Sequence, residues 1–132
     1  MKNVFCPKCE SKLNIDGNII FSVKKSNGET GLVLLKNEPG DYSVKKHPSF
    51  DFEEGEMVHF FCPVCHANLA DNEVDEHLIK FQRSDEDGKI YEVLFSGIAG
   101  EHSTYLIRDK NVEPYGEDST KYKSHFGDNF HF

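Results

Sequence analysis

All four cysteines of the chain lie in two short turns of the same spacing, Cys6-Pro7-Lys8-Cys9 and Cys62-Pro63-Val64-Cys65. Proline after the first cysteine fixes its own φ at about −65° and needs no backbone donor. The next N–H groups can then point at the first sulfur and stabilise its charge. Four thiolates close a tetrahedral site around Zn²⁺ at about 2.3 Å and leave no open position for water or substrate. The two turns therefore predict one structural zinc ion per chain, held by Cys6, Cys9, Cys62 and Cys65.

Other uses of these cysteines remain as alternatives. The two pairs would otherwise form disulfides or stay as free thiols. A redox dithiol usually lies in a thioredoxin-like βαβ unit, and the sequence shows no such pattern. A tetrahedral sulfur site can hold iron as well as zinc, so an iron centre is the alternative to the preferred zinc ion.

The composition indicates a small domain with a thin core. The 132 residues fit one compact domain or two very small ones. The apolar share of 37% is below the usual value, and a structural metal contributes most to stability when the core is this thin. The formal charge of −8 becomes about −10 when Zn²⁺ and four thiolates are counted. A negative surface repels phosphate backbones, so nucleic acid is a possible but disfavoured partner.

No segment of the sequence has the character of a signal peptide or a membrane span. The first residues lack an apolar run of signal-peptide length, and no stretch approaches about 20 apolar residues. We therefore expect a cytoplasmic protein with no membrane partner. In a reducing compartment, paired cysteines are more often metal ligands than disulfides.

The two halves of the sequence resemble each other. The segment from Phe5 to Leu13 aligns without a gap with the segment from Phe61 to Leu69. After a short insertion near residues 71–74 the alignment resumes at a constant offset, and it then relates the following pairs: Ile19 and Ile79, Phe21 and Phe81, Gly28 and Gly88, Gly40 and Gly100. This repeat alignment predicts a duplicated unit, a cysteine knuckle followed by a β-hairpin, in which each half supplies two thiolates. The alternative is that the halves share only the turn spacing that is common in β-rich chains. We predict a zinc-stabilised domain over 1–109 with pseudo-repeats 1–56 and 57–109.

Short alternating apolar runs between turn residues predict a mainly β fold. The expected strands cover 19–25, 31–36, 41–46, 57–61, 78–83, 89–96 and 103–108. Asp71 is a candidate N-cap for a short helical turn over 71–77. Residues 110–132 mix charges, glycine and aromatic residues without a period, which predicts a loosely ordered C-terminal tail. Its aromatic residues, Tyr115, Phe126, Phe130 and Phe132, are candidates for contacts that pin it.

The paired C-P-x-C turns resemble the knuckles of zinc-ribbon proteins and, more loosely, of rubredoxin-like folds. The resemblance covers the two knuckles and the strands behind them, and it implies that the four cysteines are metal ligands followed by β-hairpins. Such knuckles often carry glycine after the second cysteine, where this chain has Glu10 and His66.

Nothing in the sequence indicates catalysis. His47, His59, His77 and His102 are scattered, and there is no phosphate loop, nucleophile elbow or H-E-x-x-H motif. We expect His66 to be solvent-exposed rather than a ligand. The predicted function is a non-enzymatic, zinc-binding structural or interaction module whose partner is another protein. A nucleic-acid-associated zinc ribbon and a rubredoxin-like electron carrier are the alternatives.

Overall fold

The computed structural model of the chain describes residues 3–71, 75–108 and 111–126, with side chains up to residue 122. This part of the chain is mainly β, as predicted, and forms two antiparallel sheets. No helix within these ranges is both long enough and apolar enough to span a membrane. The elements are β1 (Asn3–Phe5), β2 (Asn14–Ile15), β3 (Asn18–Lys25), β4 (Thr30–Lys36), β5 (Val44–Lys46), β6 (Val58–Phe61), β7 (Ala70–Asp71), β8 (Asp75–Ser84), β9 (Ile90–Ser96), β10 (Thr104–Arg108), β11 (Asn111–Tyr115) and a 3-10 helix (Ser119–Phe126).

The two sheets exchange the strands that lead into the cysteine turns. In sheet I the order is β2-β3-β4-β5 and β6 also pairs with β3, whereas in sheet II the order is β1-β8-β9-β10-β11 and β7 also pairs with β8. Strand β1 of the N-terminal half therefore lies in sheet II, and β6 of the C-terminal half lies in sheet I. The two registers correspond, because Phe5 is opposite Gln82 and Phe61 is opposite Ser22. Each cysteine turn is thus anchored to a sheet built mainly from the other half.

Local hydrogen bonds recur between the halves at positions related by the repeat alignment. Cys6 N donates to Ser11 O at 3.0 Å, and the corresponding bond, from Cys62 N to Ala67 O, is also 3.0 Å long. Gly28 N donates to Lys25 O at 2.9 Å, and the corresponding bond at Gly88 is 3.0 Å long. The β3–β4 and β8–β9 registers are related in the same way. Both halves therefore fold locally alike at the knuckle and at the hairpin.

Hairpin β3–β4 shows why these residues form strands. Ile19, Phe21 and Val23 alternate with outward-facing residues, and each is at most 3% exposed, which is the period of a half-buried strand. The turn places Gly28 at φ 92°, a left-handed conformation that glycine adopts without a side-chain clash.

The main core lies where the inner faces of the two sheets meet. Phe21 of sheet I packs edge-on against Phe60 at 5.5 Å between ring centroids, and Phe60 packs edge-on against Phe95 of sheet II at 5.2 Å. Phe21 also lies 6.1 Å from Phe81 of sheet II. Aromatic pairs in this geometry add about 0.5–1.5 kcal/mol beyond area burial. Phenylalanine contacts thus join the two sheets within the core that also contains Cys6 and Cys62.

Residues 111–122 differ from the loosely ordered tail that was predicted over 110–132. Strand β11 extends sheet II by pairing with β10, and Tyr122 of the 3-10 helix is only 2% exposed. The rings of Tyr105 and Tyr122 pack edge-on against each other. Together with Leu78, Leu94 and Val112 they form a second apolar cluster. Of the predicted pinning residues, Tyr115 packs against the main core. The side chain of Phe126 and the whole of Phe130 and Phe132 lie outside the described residues.

The helical turn predicted over 71–77 is wrong for its described residues. Asp71 ends β7, and Asp75 begins β8, where the Asp75 carboxylate accepts a hydrogen bond from His77 N at 2.8 Å. The register shifts between Ala70 and Asp71, which is a β-bulge or local irregularity. The offset of the repeat alignment therefore changes between the end of β7 and the start of β8, where Asp71 is opposite Asp75. Residues 72–74 lie outside the described ranges.

Candidate metal centre

The fold brings the two cysteine turns together. Cys6 directly follows β1 and Cys62 directly follows β6. The sulfur atoms of Cys6, Cys9, Cys62 and Cys65 all lie within 4.8 Å of one another. Among the described residues, these four form the one group of three or more His, Cys, Asp or Glu side chains that could hold a metal ion.

The distances between the sulfurs fit a tetrahedral ion. The Cys6 and Cys65 sulfurs are 3.8 Å apart, and the Cys9 and Cys62 sulfurs are also 3.8 Å apart. A regular tetrahedron with metal–sulfur bonds of about 2.3 Å has edges of about 3.8 Å. Both distances join a cysteine of one turn to a cysteine of the other. All four cysteines are free of disulfide bonds.

Each turn directs backbone N–H groups at its first sulfur. Lys8 N and Cys9 N donate to Cys6 Sγ at 3.3 and 3.5 Å. In the second turn the donors are Val64 N and Cys65 N, at 3.3 and 3.4 Å from Cys62 Sγ. Such donors favour the thiolate over the thiol, and this is the ionisation state that binds a metal.

The cysteines differ in burial and in acidity. Cys6 and Cys62 are 0% exposed, whereas Cys9 and Cys65 are exposed. Burial raises the pKa of Cys6 to about 12, against the opposing effect of its backbone donors. The side-chain contact with Ser11, whose Oγ lies 3.2 Å from Cys9 Sγ, lowers the pKa of Cys9 to about 6. Metal binding must displace protons from such thiols, so affinity for the ion falls as the pH falls.

The residues after the second cysteines adopt an unusual backbone conformation. Glu10 has φ 63° and His66 has φ 65°, the left-handed region that glycine enters most easily. In each turn this residue donates its N–H to the carbonyl of the first cysteine, at 3.0 Å for Glu10 and 2.9 Å for His66. The tight turn is therefore retained where the resembling knuckles carry glycine.

Among the described residues, no histidine joins the cysteine cluster. His66 is exposed, as predicted. His77 Nδ1 lies 3.1 Å from Asp75, His102 stacks on Tyr42, and His47 Nδ1 lies 2.7 Å from Ser49 Oγ. These contacts hold the rings in separate parts of the fold.

One feature of the structure was missed in the sequence. A cleft of about 420 Å³ opens between the sheets, and Arg83 is among its lining residues. Arg83 is only 2% exposed. The repeat alignment places it at the position of Val23, which is 1% exposed in the first half. A residue-by-residue comparison of the halves would have revealed that Arg83 occupies the position of the apolar core residue Val23.

Comparison of the chain with protein-family models, curated proteins and solved structures finds no match. The zinc-ribbon resemblance therefore rests on the knuckles themselves.

Proposed function

We propose that the protein is a non-enzymatic binding module whose two sheets are joined by one structural Zn²⁺ ion. The observation that carries this proposal is the pair of 3.8 Å sulfur contacts, Cys6 to Cys65 and Cys9 to Cys62. Both contacts cross between the turns, so an ion bound there ties β1 in sheet II to β6 in sheet I. Four thiolates leave a zinc ion no position for substrate or water, so the ion has a structural and not a catalytic role.

Zinc binding of this kind contributes about 10–16 kcal/mol to folding at neutral pH. The net stability of whole domains is about 5–15 kcal/mol. Because the two values are similar, the metal-free chain is expected to be unfolded or only partly folded. The thiolates must also stay reduced, which supports a cytoplasmic location.

Elemental analysis together with a matched pair of variants tests the metal proposal. We expect one zinc ion per chain in the purified protein. The Cys62→Ser variant, and the wild type treated with a strong chelator, should contain no zinc and should show no cooperative unfolding transition. Ser11→Ala removes a neighbour of Cys9 but no ligand, and it should keep the zinc. Full zinc content and an unchanged melting temperature in Cys62→Ser would contradict the proposal.

An iron centre is the alternative at the same site, because four thiolates can also hold iron. The backbone donors to Cys6 and Cys62 favour thiolates for either metal. A ferric-thiolate centre absorbs visible light, whereas a zinc centre is colourless. A coloured protein containing iron would support an electron carrier in place of a structural zinc module.

The outer face of sheet I supports another protein as the partner. Leu32 is 56% exposed and pairs with Ser22, which also pairs with Phe61, so the three lie in one row across the sheet. In sheet II, Leu94 corresponds to Leu34 of this face and is 0% exposed, because Val112 and Tyr122 pack with it. We propose that an apolar segment of a partner protein covers sheet I in the same manner.

A charged substitution on this face tests the partner proposal. Leu32→Asp should abolish the stoichiometric binding of a co-purifying protein, while Ile90→Asp should retain it. Ile90 is a matched control because it is 62% exposed and lies in sheet II. Equal retention of the partner by both variants would contradict the proposed face.

A further inference from the structure

The cleft between the sheets has mainly apolar walls. They include Val33 and Leu35 of sheet I and their counterparts in the repeat alignment, Val93 and Phe95 of sheet II. The two loops that follow these strands, 37–43 and 97–103, contribute most of the remaining lining. A volume of about 420 Å³ is in the range of small-molecule sites, about 300–1,000 Å³.

The two loops meet at a stacked pair of rings. Tyr42 and His102 occupy corresponding positions in the two halves, and both line the cleft. Their ring centroids are 4.4 Å apart and the planes differ by 7°. Tyr42 is held further by a 2.8 Å hydrogen bond between its hydroxyl and that of Thr104. This part of the cleft is therefore shaped before any ligand enters.

Arg83 breaks the correspondence between the halves. Its counterpart Val23 fills the core with an apolar side chain, whereas Arg83 brings a guanidinium group to the cleft at 2% exposure. Within the described ranges its one hydrogen bond is a long one, 3.4 Å from Nη2 to Asn37 O. Its Nε atom is buried without a hydrogen-bond partner there, and no described carboxylate forms an ion pair with it.

A buried guanidinium without a carboxylate is unusual, since buried arginine is almost always paired. Arg108 illustrates the ordinary arrangement, because it pairs with Asp85 at 2.8 Å and stacks on Tyr91 at 4.3 Å. Arginine presents a planar fork that fits a carboxylate in a bidentate manner. An anionic group on a ligand would supply the partner that the described residues do not.

The surroundings limit the charge of that ligand. Besides Arg83, Lys36 is the one other Lys or Arg among the lining residues. Four carboxylate residues also line the cleft: Glu38, Asp41, Glu54 and Glu101. These carboxylates repel a dianion such as a phosphate more strongly than a monoanion. Apolar walls around one buried cation suit an apolar molecule with a single carboxylate.

We propose that the cleft binds a small apolar monocarboxylate, with the carboxylate on Arg83 and the apolar body against Val33, Val93 and Phe95. This inference goes beyond the structural zinc site and does not depend on it. The ligand adds an ion pair that the described residues do not supply to Arg83, and its body displaces water from apolar walls.

Calorimetric titration of the zinc-loaded, full-length protein tests the proposal. The probes are decanoate and 4-phenylbutyrate, with 1-decanol as the uncharged counterpart of decanoate. We expect at least one carboxylate to bind with 1:1 stoichiometry, about tenfold or more tighter than the alcohol, which is the usual scale for a hydrogen-bonded charge pair. Absence of binding by both carboxylates, or equal affinity for decanoate and 1-decanol, would overturn the proposal.

Variants of two arginines assign the charge. Arg83→Met should lower the affinity for decanoate to that for 1-decanol and leave the affinity for the alcohol unchanged. Arg83→Lys should keep part of the preference, and Arg108→Met, the same exchange outside the cleft, should keep all of it. Undiminished decanoate binding by Arg83→Met would exclude Arg83 as the partner of the carboxylate.

The melting temperature of the ligand-free protein separates a binding role from a structural one. Without ligand, Arg83→Met should melt at a higher temperature than the wild type, because it removes an unpaired buried charge. A lower melting temperature would show that Arg83 stabilises the fold itself, and it would contradict the proposal that the guanidinium of Arg83 serves to bind a ligand.

Discussion

Replacing Glu10 and His66 by glycine should stabilise the zinc-loaded protein. Both residues have left-handed backbone angles, φ 63° and 65°, and both are exposed. A non-glycine residue in this region costs about 1–2 kcal/mol, and glycine loses about 0.5–1 kcal/mol through its greater freedom in the unfolded chain. The net gain is therefore about 0.5–1 kcal/mol per site, and about 1–2 kcal/mol for the double variant if the sites act independently.

Denaturant unfolding at a fixed, buffered free-zinc concentration measures this gain, because any change in bound metal would shift the apparent stability. For a chain of this size, about 1 kcal/mol corresponds to about 3–5 °C in melting temperature. Glu10→Ala is the matched control, since it removes the same side chain but keeps the strained angle, and it should give no comparable gain. A Glu10→Gly, His66→Gly double variant that binds one zinc ion and is no more stable than the wild type would refute the strain argument.

Three further outcomes are expected. Gly116→Ala should lower the free energy of unfolding by about 2 kcal/mol or more, because the new Cβ would lie 2.1 Å from His102 O. Gly55 has a similar φ but open space around it, so Gly55→Ala should lower the free energy of unfolding less in the same denaturant titration. Burial alone would raise the pKa of Glu101, but the hydrogen bond from Lys121 and other contacts leave it below 4.5. Its stabilising effect is therefore present above pH 4.5 and lost as the pH falls through the lower folded value, so the gap in melting temperature between wild type and Glu101→Gln should be largest near neutral pH and narrow in acid. In gel-shift assays we expect no salt-dependent binding of DNA or RNA, and a shift that weakens as salt rises would support the nucleic-acid alternative.

The features that could be predicted from the sequence are those set by near neighbours in the chain. Alternating residues such as Ile19, Phe21 and Val23, followed by an Asn-Gly turn at Gly28, specify a hairpin with little help from the rest of the fold. The recurrence of the same turn at Gly88 made the second hairpin predictable in the same way. The structure also brings together the four cysteines that the spacing identified.

The features that were missed depend on contacts between distant segments. Strand β11 has no apolar period and includes Pro114, and its order comes from pairing with β10. The exchange of β1 and β6 between the sheets cannot be read from the sequence of either strand, because it depends on which strand of the other half each one pairs with. The acidic run after Asp71 has the composition of a helix start, but its described residues form a strand corner.

The correspondence between the halves separates what the fold requires from what it does not. Positions that shape the knuckles and hairpin turns match in both halves, as Gly28 and Gly88 do. At Val23 and Arg83 the backbone register is the same, yet one side chain is apolar and the other carries a buried charge. Valine at this position in the first half shows that the shared backbone register alone does not call for a guanidinium. This difference is the reason for proposing a binding role for Arg83, in the cleft between the sheets rather than at the cysteines.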